Sequence, residues 1–475
     1  MKTFYKRFLA LSFYLSISLL YSAYGQGENN IWYFGFNSGL DFNSGSPVVI
    51  TNGQTYTREG VASISDAAGN LLFYTDGQTV WDRNHVPMSN GTGLLGAGSS
   101  TQSATIVPMP GSSTQYYIFT CPANELPGDF HYSVVDMTLA SGNGDVTSKN
   151  ILLFIQSSEK CVAVYKNGSP DIWVIAHDHD TTFYSYLVTS SGINAPVISF
   201  SHAGNVLSLG YMVGFMKASP TGDKIAAALY ETGGNNDFAL YDFNCNNGTI
   251  SNERVITPGG SLYGLEFSPD GTKLYVAPWC EGHVDQFDVT LNTAAAIAAS
   301  QITVGNSTLP CLGGMQIGPD QKIYVSIDGG SSISVINNPN LQGVACNYVD
   351  NAIVLAGNQS GIGLPALIGG SVCNTITISE NQNDGNEFQI FPNPSDGIFQ
   401  ITFPNFSNPP EADGKVSCEV INTLGQTVFH APLPASPRWG EESSAQLDLS
   451  FLAKGIYVLK INDGVSAFSS KFVIE

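Results

Sequence analysis

FSPDGTKLYVA, residues 267–277, decides the fold. One apolar run ends in Ser268-Pro269-Asp270-Gly271 and a second leaves it, the chemistry of a tight turn between antiparallel strands. Pro269 presets φ at the first corner, Asp270 accepts bonds from the backbone that follows, and Gly271 takes a left-handed conformation other residues resist. The phrase recurs in altered form as SISDAAGNLLFY, VPMPGSSTQYYIF, VYKNGSPDIWVI, ASPTGDKIAAALY and IGPDQKIYVS. Ser219, Ser268 and Gly318 hold equivalent places roughly fifty residues apart, and that period with several short strands per unit predicts propeller blades.

Six phrases predict six full blades. Residues 31–50 (IWYFGFNSGLDFNSGSPVVI) add two or three strands without a turn phrase, and residues 361–370 (GIGLPALIGG) read as the innermost strand of a blade with nothing after it. Joined, the two stretches make a seventh blade and leave no open strand edge, so seven blades are expected, with six as the alternative. The expected fold is all-β: a seven-bladed β-propeller over residues 26–375, a linker over 376–387, and a small immunoglobulin-like β-sandwich over 388–475. Long stretches of helical period are missing, and TLNTAAAIAAS (290–300) is the one short helical pattern.

Lys2, Lys6 and Arg7 precede the apolar run FLALSFYLSISLLYS, and Ala23-Tyr24-Gly25 supplies small residues at a cleavage site. Residues 1–25 therefore read as a signal peptide, with Gln26 as the mature start. No Cys follows the apolar run, which argues against a lipoprotein signal, and no later segment approaches the ~20 continuous apolar residues of a membrane helix.

At the other end, FPNPSDGIFQITF (391–403), INTLGQTVF (421–429) and GIYVLKI (455–461) are alternating strand patterns tied to Gly or Pro turns. Pro392, Asn393, Pro394 and Gly397 mark the first, Gly425 and Gln426 the second, and Gly455 with Tyr457 the third, while Lys471 precedes the closing FVIE. With these residues the tail resembles the type A C-terminal sorting domain of the type IX secretion system of Gram-negative bacteria. The resemblance implies export to the periplasm, recognition by the type IX translocon, and a secreted or outer-membrane surface-attached product, with removal of the tail on attachment. SPDGTKLYVA resembles the repeat of YVTN-type and Tol-system propellers, a WD40-like class, and INNPNLQGVACNY (336–348) resembles a phrase of exported propellers with such tails. That implies a fold and a compartment and brings no defined activity.

A formal net charge of −21 repels phosphate backbones, so nucleic acid is not an expected partner. The chain has 8 Cys, and disulfides persist in an exported protein. Cys121 and Cys280 each end the second strand of a repeat, and Cys161 and Cys311 each open the first strand of the next. Cys121 with Cys161 and Cys280 with Cys311 are therefore expected pairs; Cys346 with Cys373 would tie down the closing segment, leaving Cys245 and Cys418 unpaired. No CxxC spacing supports metal ligation by these residues.

In AHDHDTTF, His177 and His179 alternate along a strand end with Asp180 close by, so they are the metal candidates, although no further ligand is evident. Glu266 lies inside the apolar strand YGLEF and needs a partner or the channel. Glu59 and Glu159 each begin a first strand, which suggests a ring of acids at one mouth of the channel, suited to a cation or a sugar hydroxyl. Trp81, Trp279 and Tyr230 are aromatics at loop edges, candidates to stack on sugars or peptides, with packing inside the blades as the expectation for most of them. There is no GxSxG phrase, and no Trp follows a Gly turn as in the Asp-box of sialidase-type propellers. No catalytic residue and no cofactor is assigned; calcium at the Asp-Gly turns would require bunched carboxylates. The expected function is a binding module for an extracellular glycan, peptide or protein. The alternative is an exported hydrolase or lactonase-like enzyme acting at the channel mouth.

Overall fold

The computed structural model describes residues 27–475 except 124–127, 167, 202–212, 230–236, 258–261, 369–388, 392, 394, 396, 404–416, 423–426, 433–442, 451, 453, 463–466 and 475. The expected signal peptide lies outside the described residues, as do Tyr230, Cys373, Pro392, Pro394 and Gly425. The chain divides into two compact units, Met1–Ile376 and Thr377–Glu475.

The repeated turn forms as its chemistry requires. Gly271, at φ +71°, donates to the Ser268 carbonyl at 2.8 Å, and Asp270 Oδ1 accepts from the Thr272 amide at 3.0 Å. Ser268 N donates to Lys273 O at 2.9 Å, and Ser219 with Lys224 and Gly318 with Lys322 repeat the bond at 2.9 and 2.8 Å. Gln321 takes the left-handed place in the last of these turns, where the phrase lacks its glycine.

Each turn joins the first and second strands of an antiparallel sheet. Successive blades open on Ala62–Ser65, Ala104–Pro108, Ser157–Tyr165, Met216–Ala218, Leu262–Phe267 and Leu312–Ile317, and these inner strands pack against one another in order. A further three-stranded sheet, Ile31–Phe34, Ser38–Asp41 and Val48–Ile50, makes the seventh blade; the parallel pair of Ser89 with Asp145 joins the first two blades into one eight-stranded sheet, so the described residues of the unit form six sheets. The predicted helix is the short Ala294–Ala299, with the Thr293 side chain accepting from Ala296 N.

The closing segment takes the inner place but forms no ladder of its own. Ile362 N donates to Arg58 O at 2.6 Å and Ala366 N to Val61 O at 2.9 Å, while Ile362 O accepts from Gly314 N at 2.6 Å. Residues 361–366 thus run between the sixth inner strand and the first and complete the ring. Trp32, fully buried, packs against Phe42 at 4.9 Å and Tyr324 at 5.5 Å, joining the seventh blade to the sixth. Aromatic contacts of this kind add about 1 kcal/mol each beyond their buried area.

The second unit is a sandwich of a three-stranded and a four-stranded sheet around Phe399, Ile401, Val420, Leu447, Leu459 and Phe472. Tyr457 stacks on Phe472 at 5.6 Å, Asn393 Oδ1 accepts from Val473 N at 2.9 Å, and Gly397, at φ +107°, accepts from Leu449 N at 2.7 Å. These residues of the tail phrases hold the sandwich together. Gly455 opens the strand Gly455–Asn462, and Lys471 lies in its neighbour Ala467–Ile474.

Cys280 and Cys311 form a disulfide. The expected pairing of Cys346 with Cys373 differs from what is observed. Cys346 is a free thiol buried between the fifth and sixth blades beside Tyr275, facing a core already closed. Cys245, expected to be unpaired, is disulfide-bonded. Cys418 is buried in the sandwich core, and Cys121 and Cys161 share the core between the second and third blades.

Closure leaves no room at Gly363, where an added Cβ would lie 2.1 Å from Glu59 O, whereas at Gly98 the nearest atom would be 3.5 Å away. Gly363→Ala is expected to destabilise the propeller by about 1–3 kcal/mol in urea denaturation, with Gly98→Ala close to wild type. Equal stability of the two variants would show that this segment does not close the ring.

Candidate functional site

The residues that lead into the inner strands meet near the axis. Arg58, with a side chain 52% exposed, grips Asp328 through Nε to Oδ1 at 3.1 Å and Nη2 to Oδ2 at 2.5 Å, a planar two-bond fork. Its guanidinium lies 5.6 Å from the Trp279 ring centroid, and Trp279 sits 5.3 Å from Tyr263. One residue further in, Glu59 is buried, and Tyr263 Oη donates to its Oε2 at 3.0 Å. Thr101 Oγ1 is 3.4 Å from Tyr263 Oη; its hydroxyl and its amide both donate to Glu159 Oε2, at 2.7 and 2.8 Å, and it accepts from Gly214 N at 3.1 Å. Side chains from different blades therefore form one hydrogen-bonded network across the ring.

A second set of buried polar side chains, Gln102, Lys217, Glu266 and Gln316, ties the inner strands together. The Gln102 side chain donates to Cys161 O at 2.8 Å and Met216 O at 3.1 Å and accepts from Met216 N at 2.8 Å, bridging two inner strands. Lys217 Nζ lies 2.9 Å from Glu266 Oε2 as an ion contact and donates to Gln316 Oε1 at 2.7 Å. Glu266 Oε1 accepts from Phe267 N at 3.0 Å. Burial raises the Glu266 carboxyl even so, the Lys217 charge opposing. Glu266 is thus an internally paired group, apart from Glu59 and Glu159.

Burial governs the charges here. It pushes Glu59 up from 4.5 to about 8, the Glu159 charge adding to the effect, and it raises Tyr263, so that hydroxyl keeps the proton it donates. Lys160, also buried, donates to Val213 O at 2.6 Å and is pushed down to about 7 by burial, with the Glu159 charge opposing.

The metal candidates do not converge. The strand ends at Asp178, so His179 and Asp180 fall in the turn, where Asp178 Oδ1 accepts from the amides of Asp180 and Thr182. His177 turns inward, edge-on to Phe183 at 4.4 Å, and bonds the Asp178 carbonyl through Nδ1 at 2.6 Å. Among the described residues no group of three His, Cys, Asp or Glu side chains is placed to hold a metal ion. Trp81 stacks on Tyr74 at 5.4 Å inside its own blade, while Trp279 stands at the mouth. Sequence reading missed Arg58, Thr101, Tyr263 and Asp328. The position of Glu59 and Glu159 just ahead of or within an inner strand is the signal that would have found Thr101 and Tyr263.

Glu59 makes stability depend on pH with a definite sign. The folded state keeps its proton where the unfolded chain has lost it, so this contribution is complete below about 4.5 and falls, by about 1.4 kcal/mol per pH unit, as pH climbs through about 8. His177, pushed down to about 4 by burial, and Lys160 act in the opposite direction. The difference between wild type and Glu59→Gln isolates the Glu59 share, and urea denaturation from about pH 5 to about pH 8 should show it shrinking steadily. Lys217→Met, which strands Glu266 without its counter-charge, should cost about 3–5 kcal/mol at neutral pH in the same measurement.

Residues 389–475 match the family described as the secretion system C-terminal sorting domain. No curated protein matches the chain. Among solved structures, the chain is similar to a Lactobacillus plantarum protein at 13% identity, covering 72% of this chain and 99% of that one with a TM-score of 0.45. It is similar to the periplasmic gluconolactonase of Pseudomonas aeruginosa at 12% identity, covering 79% and 96% with a TM-score of 0.36. A functionally unknown protein from Desulfotomaculum acetoxidans aligns at 14% identity over 71% and 99% with a TM-score of 0.40. These likenesses assign no activity. The chain is a β-propeller that carries, at its C-terminal end, a sorting domain of the type IX secretion system.

Proposed function

We propose that the propeller is the cargo of its sorting tail and works outside the cell as a binding module, its ligand seated at the mouth ringed by Arg58, Asp328 and Trp279. The observation that carries this reading is the network of Glu59, Thr101, Glu159 and Tyr263, which gathers carboxylates and hydroxyls from different blades just beneath that rim. The rim offers a fork of donors, a carboxylate and an indole beside one another, a combination suited to a hydroxyl-rich ligand such as a surface glycan. The groups are already held by one another, so little side-chain freedom remains to be lost on binding.

One observation favours the enzymatic alternative. A carboxylic acid that keeps its proton near neutrality, as Glu59 does, is equipped to donate it to a leaving group on a glycan or lactone.

A thermal-shift panel of glycans and peptides on the full chain separates the two. A glycan at a hundred times its dissociation constant adds about 2.7 kcal/mol, and Asp328→Ala and Trp279→Ala are expected to abolish that shift. Turnover of the bound glycan by wild type, lost in Glu59→Gln, would move the assignment to an enzyme; a panel that stays flat overturns the mouth as a small-ligand site. Deleting residues 389–475 is expected to keep the propeller inside the cell, as judged by fractionating cells, surface and medium.

A further inference from the structure

We propose that Cys121 and Cys161 are joined by a disulfide in the exported protein, a second covalent tie between neighbouring blades besides Cys280–Cys311. Both residues are buried, at 0% and 1% exposure, in one apolar cluster between the second and third blades, and their thiols share a side-chain hydrogen bond. Two consecutive residues hold their backbones: Ser103 O accepts from Cys121 N at 3.1 Å, and Gln102 Nε2 donates to Cys161 O at 2.8 Å.

The placement also repeats that of the bonded pair. Cys121 directly follows the second strand Gln115–Thr120 of its blade, and Cys161 lies in the inner strand Ser157–Tyr165 of the next. Cys280 likewise follows the second strand Lys273–Pro278, and Cys311 directly precedes the next inner strand, Leu312–Ile317.

Export to the cell surface or medium takes the chain through surroundings in which disulfides form and persist. The step is an oxidation: the two thiols give up two protons and two electrons and form one S–S bond, and the electrons reduce the disulfide of a thiol–disulfide exchange oxidant to its dithiol. Burial pushes the Cys121 thiol up, which suppresses the thiolate that exchange requires. Burial of both residues likewise shields the bond from reductants once it has formed. Because Glu159 and Lys160 immediately precede Cys161, the tie also fixes Glu159 against Thr101.

Peptide mapping of the full chain, isolated from its host without reductant and alkylated as it is unfolded, tests the proposal without any variant. The expected result is a linked peptide pair containing Cys121 and Cys161 that reduction separates, with Cys346 alkylated in the same sample. Alkyl label on both Cys121 and Cys161, or either one joined to a different cysteine, overturns it. In a Cys161→Ser chain the proposal expects Cys121 to become labelled while Cys280–Cys311 stays linked. Cys121 remaining unlabelled there would overturn it as well.

Discussion

Ile362 N–H donates to the Arg58 carbonyl and Ala366 N–H to that of Val61, and these two bonds set the last part of the propeller against the first full blade. A ring of sheets is stable only if its first and last inner strands find each other, because an open ring exposes two unpaired edges. Closure here uses irregular backbone, not a strand ladder, and so depends on contacts that only glycine allows: Gly363 against Glu59 O, and Gly313 against Ile362 O. The segment this backbone bonds to, residues 58–61, carries Arg58 and Glu59 into the mouth. The candidate site is in this sense a by-product of closing the ring.

Few charges occur in the chain, 12% of residues, yet several are spent on the axis. Each is matched to its burial. Glu266 has Lys217 and the Phe267 amide, Glu159 has two donors from Thr101, and Glu59, which burial keeps protonated near neutrality, has the Tyr263 hydroxyl. Buried charges without such partners would cost several kcal/mol apiece, so the network is as much a condition of folding as a device for binding. The groups at the rim differ: Arg58 and Asp328 are exposed enough to meet a ligand while holding each other in one geometry.

The cysteines show how far spacing carries an argument. Cys280 and Cys311 are bonded, but Cys346 is a free thiol beside Tyr275 and Cys245 is bonded instead. Pairing depends on which core each side chain faces, and the one-turn segment Gly343–Cys346 turns its thiol toward the fifth blade. His177 and His179 make the same point. Alternation puts residues on a common face only while the strand lasts, and this strand stops at Asp178.

What could be read from residue order was everything written in local chemistry: the Pro-Asp-Gly turns, the blade period, the three-stranded start, the closing segment and the phrases of the sorting tail. Turn residues act through neighbours a few positions away, so their meaning survives without the fold. The site could be read only in part, as Glu59 and Glu159 among other acids, because Tyr263 comes from a blade more than a hundred residues further on and Arg58 from a loop with no motif. Which acids meet, which stay paired inside, and which thiols lie side by side depend on rotation about the ring axis. No local rule encodes that rotation, and only the closed ring supplies it.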